Sequence, residues 1–376
     1  MSLAGKGNRD CLAGKRGLKP LDGRAIVYCE GFFGTTNGKT AHGLVRRTKR
    51  YEVVSLVDSK HAGKDAGMVL DRKRSGIPIH ANLEEAVTAC RKGGKPAKYF
   101  VNGITPDGGA VSPETRVAAG KALELGLNVD SGAHDFLSDD PKLKRLAKKN
   151  GLTIRDVRKT PPREKLHFFS GKIEQVKCLK VAMLGVDSAS GKRTTAWILA
   201  DALERAGYRA EMVGTGQTSW MQGAGHCIIL DSLINDFVSG EIEHAVWSAW
   251  KERKPDIIII EGQGSLMNPA YPGGFEILAA GRPDVVLMQA VPARKEYDGF
   301  PGYELHDLNT QIRAVEFIGG KPVVGIAINH EGMAPKDIPK VVAKVSKSVN
   351  LPACDPLTQG ADVLLKALKP YIGRRK

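Results

Sequence analysis

Gly185-Val-Asp-Ser-Ala-Ser-Gly191-Lys192-Arg193-Thr194-Thr195 decides the fold of this chain. It stands between an apolar run at residues 181–184 and a stretch in which Ala196, Leu199, Ala200 and Leu203 recur at helical spacing, with Gly207 as the stop signal. Strand, glycine-rich turn, Lys and helix in that order make a phosphate-binding loop. Backbone N–H groups cradle phosphate oxygens, the helix N-terminus adds partial positive charge, and Lys192 supplies a point charge. The competing reading is a turn that merely joins strand to helix. One position departs from the usual pattern. Ser or Thr normally follows the Lys because its hydroxyl ligates the magnesium of a nucleoside triphosphate, and here Arg193 follows instead. Thr194 lies about 100° further round the helix and is no obvious substitute. Arg193 offers a rigid fork of donors to a second phosphate group, which favours coenzyme A, with its pyrophosphate and separate 3′-phosphate, over Mg-ATP hydrolysis. Gly185, Asp187, Ser188, Ser190, Gly191, Lys192, Arg193, Thr194 and Thr195 are therefore the cofactor-binding candidates.

On either side of this loop the chain alternates strand and helix signals in two blocks. Between them, Arg158-Lys-Thr-Pro-Pro-Arg-Glu-Lys165 reads as a linker from its proline pair and its charges. The first block, residues 23–157, carries strand signals at 25–29, 51–57, 99–101 and 127–129, with a helix starting near Lys39. The second, residues 179–376, carries short apolar runs at 181–184, 210–213, 257–260, 285–288 and 323–328, typical of strands buried on both faces. The expected fold is α/β: two doubly wound parallel-sheet domains, an N-terminal Rossmann-like one and a C-terminal P-loop one, joined by a linker at 158–178 and preceded by a mobile tail at 1–22. The first block has its own glycine-rich turn, Gly31-Phe-Phe-Gly34-Thr-Thr-Asn-Gly38-Lys39-Thr40, with Asp58 ending its second strand. That turn imitates a dinucleotide site without either standard glycine spacing. An NAD site, a structural or regulatory anion turn, and a wall of a substrate cleft all stay open for it.

The chain has 376 residues, 42% of them hydrophobic, enough for two packed interiors. It has neither an apolar segment long enough to span a membrane nor an N-terminal secretory block, so a soluble, cytoplasmic protein with no membrane partner is expected. Six dispersed cysteines without paired spacing read as reduced thiols, and no metal-ligand set is expected. The net charge of +15 raises nucleic acid as a partner. Yet the clusters Arg46-Arg-Thr-Lys-Arg50, Asp71-Arg-Lys-Arg74 and Lys142-Leu-Lys-Arg-Leu-Ala-Lys-Lys149 lie on separate elements without interleaved aromatics. A basic surface that attracts small anionic ligands is the better reading, and no nucleic acid is expected. The assembly is expected to be a homo-oligomer.

Ligands of open α/β sheets bind beyond the carboxyl ends of the strands. In the second block those positions hold Gly214-Thr-Gly-Gln217-Thr-Ser219-Trp220, Glu261-Gly-Gln-Gly264-Ser-Leu-Met-Asn268, and Asn329-His330. Glu261 is the foremost catalytic candidate, because a carboxylate closing an apolar strand is costly to bury unless paired or used. A salt bridge to Lys192 is the structural alternative. Gln217 and Asn268 join it as catalytic candidates, and Ser219, Arg294 and Tyr297 as substrate-binding ones, against loop capping for the polar residues. Asn329 is a further cofactor-binding candidate. His306 and Asp307 resemble an acid/base pair, but neighbours in sequence need not meet, and a surface histidine is the simpler reading.

Gly185-Val-Asp-Ser-Ala-Ser-Gly-Lys192 together with Glu261-Gly-Gln-Gly264 resembles the G-T-D-T-x-V-G-K-T and E-G-A-G-G pair of dethiobiotin synthetases and their P-loop relatives, over the second block only. Across nearly the whole chain, Gly38-Lys-Thr-Ala41, Asp58-Ser-Lys-His-Ala-Gly63, Ser131-Gly-Ala-His134, Gly191-Lys-Arg-Thr-Thr195, Thr215-Gly-Gln-Thr218 and Glu261-Gly-Gln-Gly-Ser265 resemble a two-domain family long catalogued as of unknown function and associated with D-glutamate N-acetylation. The resemblance implies acetyl-CoA as donor and a small acidic D-amino acid as acceptor. The alternatives are an ATP-dependent ligase or kinase using Mg held by Asp187 and Glu261, with Asn329 reading adenine, and a non-catalytic nucleotide-binding regulator.

Overall fold

The computed structural model describes residues 21–373. The expected mobile tail falls outside the described residues except for Leu21 and Asp22, whose N–H groups donate to the carbonyls of Lys49 and Arg50 at 3.1 and 2.9 Å. The chain divides into two compact units. One contains Pro162–Gly216 and everything described from Gly225 onward, and the other the preceding residues together with Gln217–Ala224.

The described strands of the N-terminal unit are β1 (Gly23–Tyr28), β2 (Tyr51–Val57), β3 (Ile79–His80), β4 (Tyr99–Asn102), β5 (Asn128–Ser131) and β6 (Ile154–Asp156). They lie in the order β3-β2-β1-β4-β5-β6, all pairs parallel, which is the Rossmann order. Apolar residues alternate to opposite faces of β1: Ile26 and Tyr28 enter one core cluster, Ala25 and Val27 the other. Helices cover both faces because crossovers of one hand place helices on opposite sides of the sheet when strands are added in opposite directions from β1: helices 39–46 and 66–71 pack on one face, and 83–92, 113–124 and 141–149 on the other. Their starts are written in the sequence: Asn82 caps the helix Leu83–Lys92 by accepting from Glu85 N, with the Glu85 carboxylate accepting from Asn82 Nδ2 and Ala81 N, and Ser112 and Asp140 cap Pro113–Glu124 and Pro141–Lys149.

The glycine-rich turn after β1 is closed on itself. Phe33 is buried at its centre, and Asp58 accepts from the Gly31 N–H at 2.9 Å and from His61 at 2.5 Å. Between β1 and β4, where the strand order reverses and a dinucleotide would lie, main-chain bonds run from Ala41 N to Gly103 O (3.1 Å) and from Thr105 N to Asn37 O (2.7 Å). Asp58, the residue placed to meet the ribose of NAD, is thus engaged by the turn's own Gly31 N–H and by His61. The segment Gln217–Ala224 belongs to this unit: Thr218 Oγ1 bonds Thr40 Oγ1 at 2.6 Å, Gln222 Nε2 donates to the Gly43 and Arg47 carbonyls, and the Arg50 guanidinium stacks 3.7 Å above Trp220.

The described strands of the second unit are β7 (Leu179–Gly185), β8 (Ala210–Gly214), β9 (His226–Cys227), β10 (Ile257–Glu261), β11 (Val285–Ala290), β12 (Val323–Ile328) and β13 (Ala353–Cys354). Their order is β13-β12-β11-β7-β10-β8-β9, again with every pair parallel. Strands β7, β10, β11 and β12 are buried along their whole lengths, as their unbroken apolar sequences require. Each of the four isoleucines 257–260 is fully buried, worth roughly 1.5–3 kcal/mol apiece relative to exposure. This packing fixes β7 between β10 and β11, and so fixes where the loops that follow these strands emerge. Among the described residues no helix is long and apolar enough to cross a membrane.

Candidate functional site

The site is built at the carboxyl end of β7. The loop at residues 186–191 leads into the helix Lys192–Arg205, whose Ala196, Leu199, Ala200 and Leu203 are buried. Gly191 opens the helix at φ 102°, and Ala189 also has positive φ, so successive N–H groups can turn toward one point. Gly262 is a steric necessity, and Gly185 leaves little room for a side chain. A Cβ on Gly185 would stand 3.0 Å from Ser190 Oγ, and one on Gly262 would stand 2.5 Å from the Met183 carbonyl oxygen.

Asp187 is the centre of the arrangement. It is fully buried, and each carboxylate oxygen accepts two donors: Oδ1 from Ser188 N (2.6 Å) and Asn268 Nδ2 (2.7 Å), Oδ2 from Arg294 Nη1 (2.6 Å) and Asp298 N (2.8 Å). Three loops, following β7, β10 and β11, are tied to one side chain. Arg294 also donates to Ser188 O at 3.0 Å and to Glu331 at 2.8 Å. Burial works against the charge of its guanidinium, but the hydrogen bond it donates to Asp187 and the nearby carboxylates outweigh this and hold its pKa above the ordinary value. Asn268 is buried and uses its carbonyl to accept from Ala270 N and Tyr271 N, which fixes the turn after β10.

Lys192 is 6% exposed, and its ammonium donates to Asp187 O (2.6 Å), Gly264 O (2.7 Å) and Ser190 Oγ (3.3 Å). Glu261, 5% exposed, accepts from Thr215 N at 2.9 Å, while Thr215 Oγ1 donates back to the Glu261 carbonyl at 3.1 Å. Gln263 Nε2 closes the same corner on Thr215 O at 2.8 Å. Thr195 does not substitute for the missing hydroxyl. Its Oγ1 donates to Gln289 Oε1 at 2.6 Å, inside the sheet–helix interface. Ser188, Arg193 and Thr194 remain partly exposed at the loop, and Asn329 Nδ2 donates to Ser190 O at 3.0 Å, bracing the loop from β12.

The structure thus brings Asp187, Ser190, Lys192, Glu261, Asn268, Arg294 and Asn329 together around the loop. Gln217 and Ser219 belong to the Rossmann-like unit, where a Cβ on Gly132 would meet Gln217 Cγ at 2.6 Å. Arg294, expected to meet substrate carboxylates, has its fork engaged by Asp187, Ser188 and Glu331. Tyr297 is buried and shares a 2.8 Å hydrogen bond with His306 Nδ1, burial pushing the phenol's pKa up. Asp307 caps the helix Leu308–Gly319 through Thr310 N, a role separate from that of His306. Sequence reasoning passed over Thr215, Gln263, Gln289, Asp298 and Ser265. Of these, Ser265 is 3% exposed, and its hydroxyl has no hydrogen-bond partner among the described residues.

Magnesium prefers carboxylate oxygens in near-octahedral geometry. Asp187 does not fit that role, because both its oxygens already accept two short bonds and the competing donors include a buried guanidinium. The loop has the parts of an anion cradle, with cationic and N–H groups, without this acidic metal ligand.

Fold and loop together define a two-unit α/β protein with a Rossmann-like sheet and a P-loop sheet. The chain belongs to the DUF1611 family: residues 167–365 match the family's C-terminal P-loop domain of unknown function, and 59–160 its N-terminal Rossmann-like domain of unknown function. Among curated relatives, a protein of Tritonibacter scottomollicae named D-glutamate N-acetyltransferase is 31% identical over 76% of this chain and 84% of its own. A protein of Pseudoalteromonas sp. with the same name is 28% identical over 78% and 88%. The crystal structure of a DUF1611 family protein from Anabaena variabilis superposes with a TM-score of 0.84 at 28% identity, covering 92% of this chain and 99% of that one.

Proposed function

We propose that the protein is an N-acetyltransferase that moves the acetyl group of acetyl-CoA to the amino group of an acidic D-amino acid, D-glutamate in the first place. The observation that carries this reading is the four-donor saturation of Asp187 beside Arg193. It engages one of the two carboxylates a magnesium ion would use here and leaves the cationic and N–H groups of the loop for phosphates, which favours CoA over Mg-ATP. The names of the two curated relatives support the acceptor and the group transferred.

In this reading the loop N–H groups, Lys192 and Arg193 hold the phosphates of CoA, Lys192 exchanging its Gly264 carbonyl for a phosphate oxygen. Glu261, oriented by Thr215 N, takes the proton of the substrate ammonium so that a neutral amine attacks the thioester carbon. The N–C bond forms as the C–S bond breaks, the second amine proton passes to the sulfur, which leaves as the CoA thiol, and the proton held by Glu261 is released to solvent. Backbone N–H groups near Gly216 or Gly264 and the Ser265 hydroxyl are donors for the developing oxyanion. Arg294 acts by holding the loop after β11 to Asp187 rather than by meeting substrate.

The test is free-thiol release from acetyl-CoA against a panel of D- and L-amino acids, beside ATP with Mg as a control for ADP formation. Thiol release that depends on D-glutamate is the expected result. ADP formation without thiol release would replace this reading with a ligase or kinase of the dethiobiotin synthetase type.

A further inference from the structure

Three aromatic side chains outside the phosphate loop form a contiguous edge-to-face cluster, a ladder of rings whose outer faces are open. Tyr271 and Phe300 meet with ring centroids 6.1 Å apart at 66°, and Phe300 and Tyr303 at 6.4 Å and 83°. Single exposed apolar residues need no explanation, but rings in contact with one another at the rim of a site do. Tyr271 is 45% exposed and Tyr303 56%, so the ladder is an open surface rather than part of a core.

Both loops that carry it are tied to the phosphate loop. Tyr271 N donates to Asn268 Oδ1, and Asn268 Nδ2 donates to Asp187. Tyr271 O accepts from Ser265 N, the residue next to Gly264, whose carbonyl receives the Lys192 ammonium. Phe300 and Tyr303 sit on a tight hairpin held by Tyr297 N to Tyr303 O (2.9 Å), Leu305 N to Lys295 O (2.7 Å) and Tyr303 N to Phe300 O (3.2 Å). Its Asp298 N donates to Asp187 Oδ2. The rings are thus few bonds from the phosphate cradle and are set before any ligand arrives, which lowers the entropy lost on binding.

We propose that the Tyr271–Phe300–Tyr303 ladder is the platform on which the planar base of a phosphate-bearing ligand stacks while its phosphates occupy the loop at Lys192. Aromatic faces take any base, whereas cationic and N–H groups take the phosphates, and here the two kinds of surface are fastened to the same carboxylate. Under the acetyltransferase reading, on which this choice of ligand rests, the base is the adenine of CoA.

The experiment is calorimetric titration of the full chain and of Tyr271→Ala, Tyr303→Ala and the double variant with CoA and with phosphopantetheine, which has a phosphate but no base. Each ring removed should weaken CoA about tenfold and leave phosphopantetheine unchanged, with Tyr→Phe at either position restoring CoA binding. CoA affinity unchanged in the double variant would overturn the proposal, as would an equal loss for both ligands. If the parent binds neither, the acetyltransferase reading fails on its own account. ADP then becomes the probe: a ring-dependent ADP affinity would still support the platform, and ADP binding indifferent to the rings, or absent, would overturn it.

Discussion

Replacing Asp187 by Asn changes one oxygen into an amide and nothing else in size. The native carboxylate accepts four donors, two on each oxygen, and an Asn side chain can satisfy only one such pair. The amide must then face two other donors: either the backbone N–H of Ser188 with the Asn268 amide, or the Arg294 guanidinium with the Asp298 N–H. Each buried donor left without an acceptor costs about 1–3 kcal/mol, and breaking a buried ion pair from one side about 3–5 kcal/mol. Arg294, with a side chain 8% exposed, keeps Ser188 O and Glu331, which moderates the loss. A destabilisation of about 4 kcal/mol is expected, which for a unit of this size lowers the midpoint of thermal unfolding by roughly 8–16 °C. Thermal unfolding followed by near-ultraviolet circular dichroism measures it, and adding Arg294→Gln to the Asn variant should cost much less than the sum of the two single changes. A midpoint within about 2 °C of the parent would refute the claim that Asp187 holds three loops together.

Glu261→Gln keeps an acceptor for Thr215 N, so folding and CoA affinity should persist while turnover falls by about 10²–10⁴ in the thiol-release assay. Unchanged turnover would remove Glu261 as the base. Gly264 has φ +46° and would place a Cβ 1.9 Å from Tyr271 O, so Gly264→Ala should destabilise by about 1–3 kcal/mol or more in chemical denaturation and weaken any phosphate-bearing ligand by displacing the carbonyl that faces Lys192. His244 is stacked on His167 at 3.5 Å, and burial, with His167 and Lys172 nearby, lowers its pKa from 6.5 against the opposing pull of Glu241 and Glu252. A depressed folded-state pKa means the unfolded chain binds the proton more readily. The contribution is therefore intact above pH 6.5 and is lost as pH falls through the folded value. His226, raised by Glu211 and Glu252, has the opposite slope. Denaturation midpoints should fall less steeply on acidification in His244→Gln than in the parent, and an unchanged slope would count against this assignment.

The long central strands were legible because burial on both faces writes unbroken apolar runs, as at residues 257–260. Strands β3, β6, β9 and β13, two or three residues each, were not, since they carry no periodicity and exist only by pairing at or near a sheet edge. The phosphate loop was legible because strand, glycines and Lys are adjacent in sequence. The saturation of Asp187 was not, because its donors come from loops up to 111 residues away. The rule that residues following each strand face the ligand pointed to Gln217 and Ser219 beside the phosphate loop. What the sequence did not show is that the bonds Thr218–Thr40 and Gln222–Gly43, with Trp220 beneath Arg50, make that segment part of the Rossmann-like unit.

The proposed function makes the P-loop a metal-independent cradle for CoA. Its most direct test is the affinity of the full chain for CoA, by calorimetry, in excess magnesium and again in excess chelator, with Mg-ATP as competitor. The account predicts the same CoA affinity in both conditions, lost in Lys192→Ala and reduced in Arg193→Ala, with little competition from Mg-ATP. CoA binding that requires magnesium, or Mg-ATP binding more tightly than CoA, would contradict it.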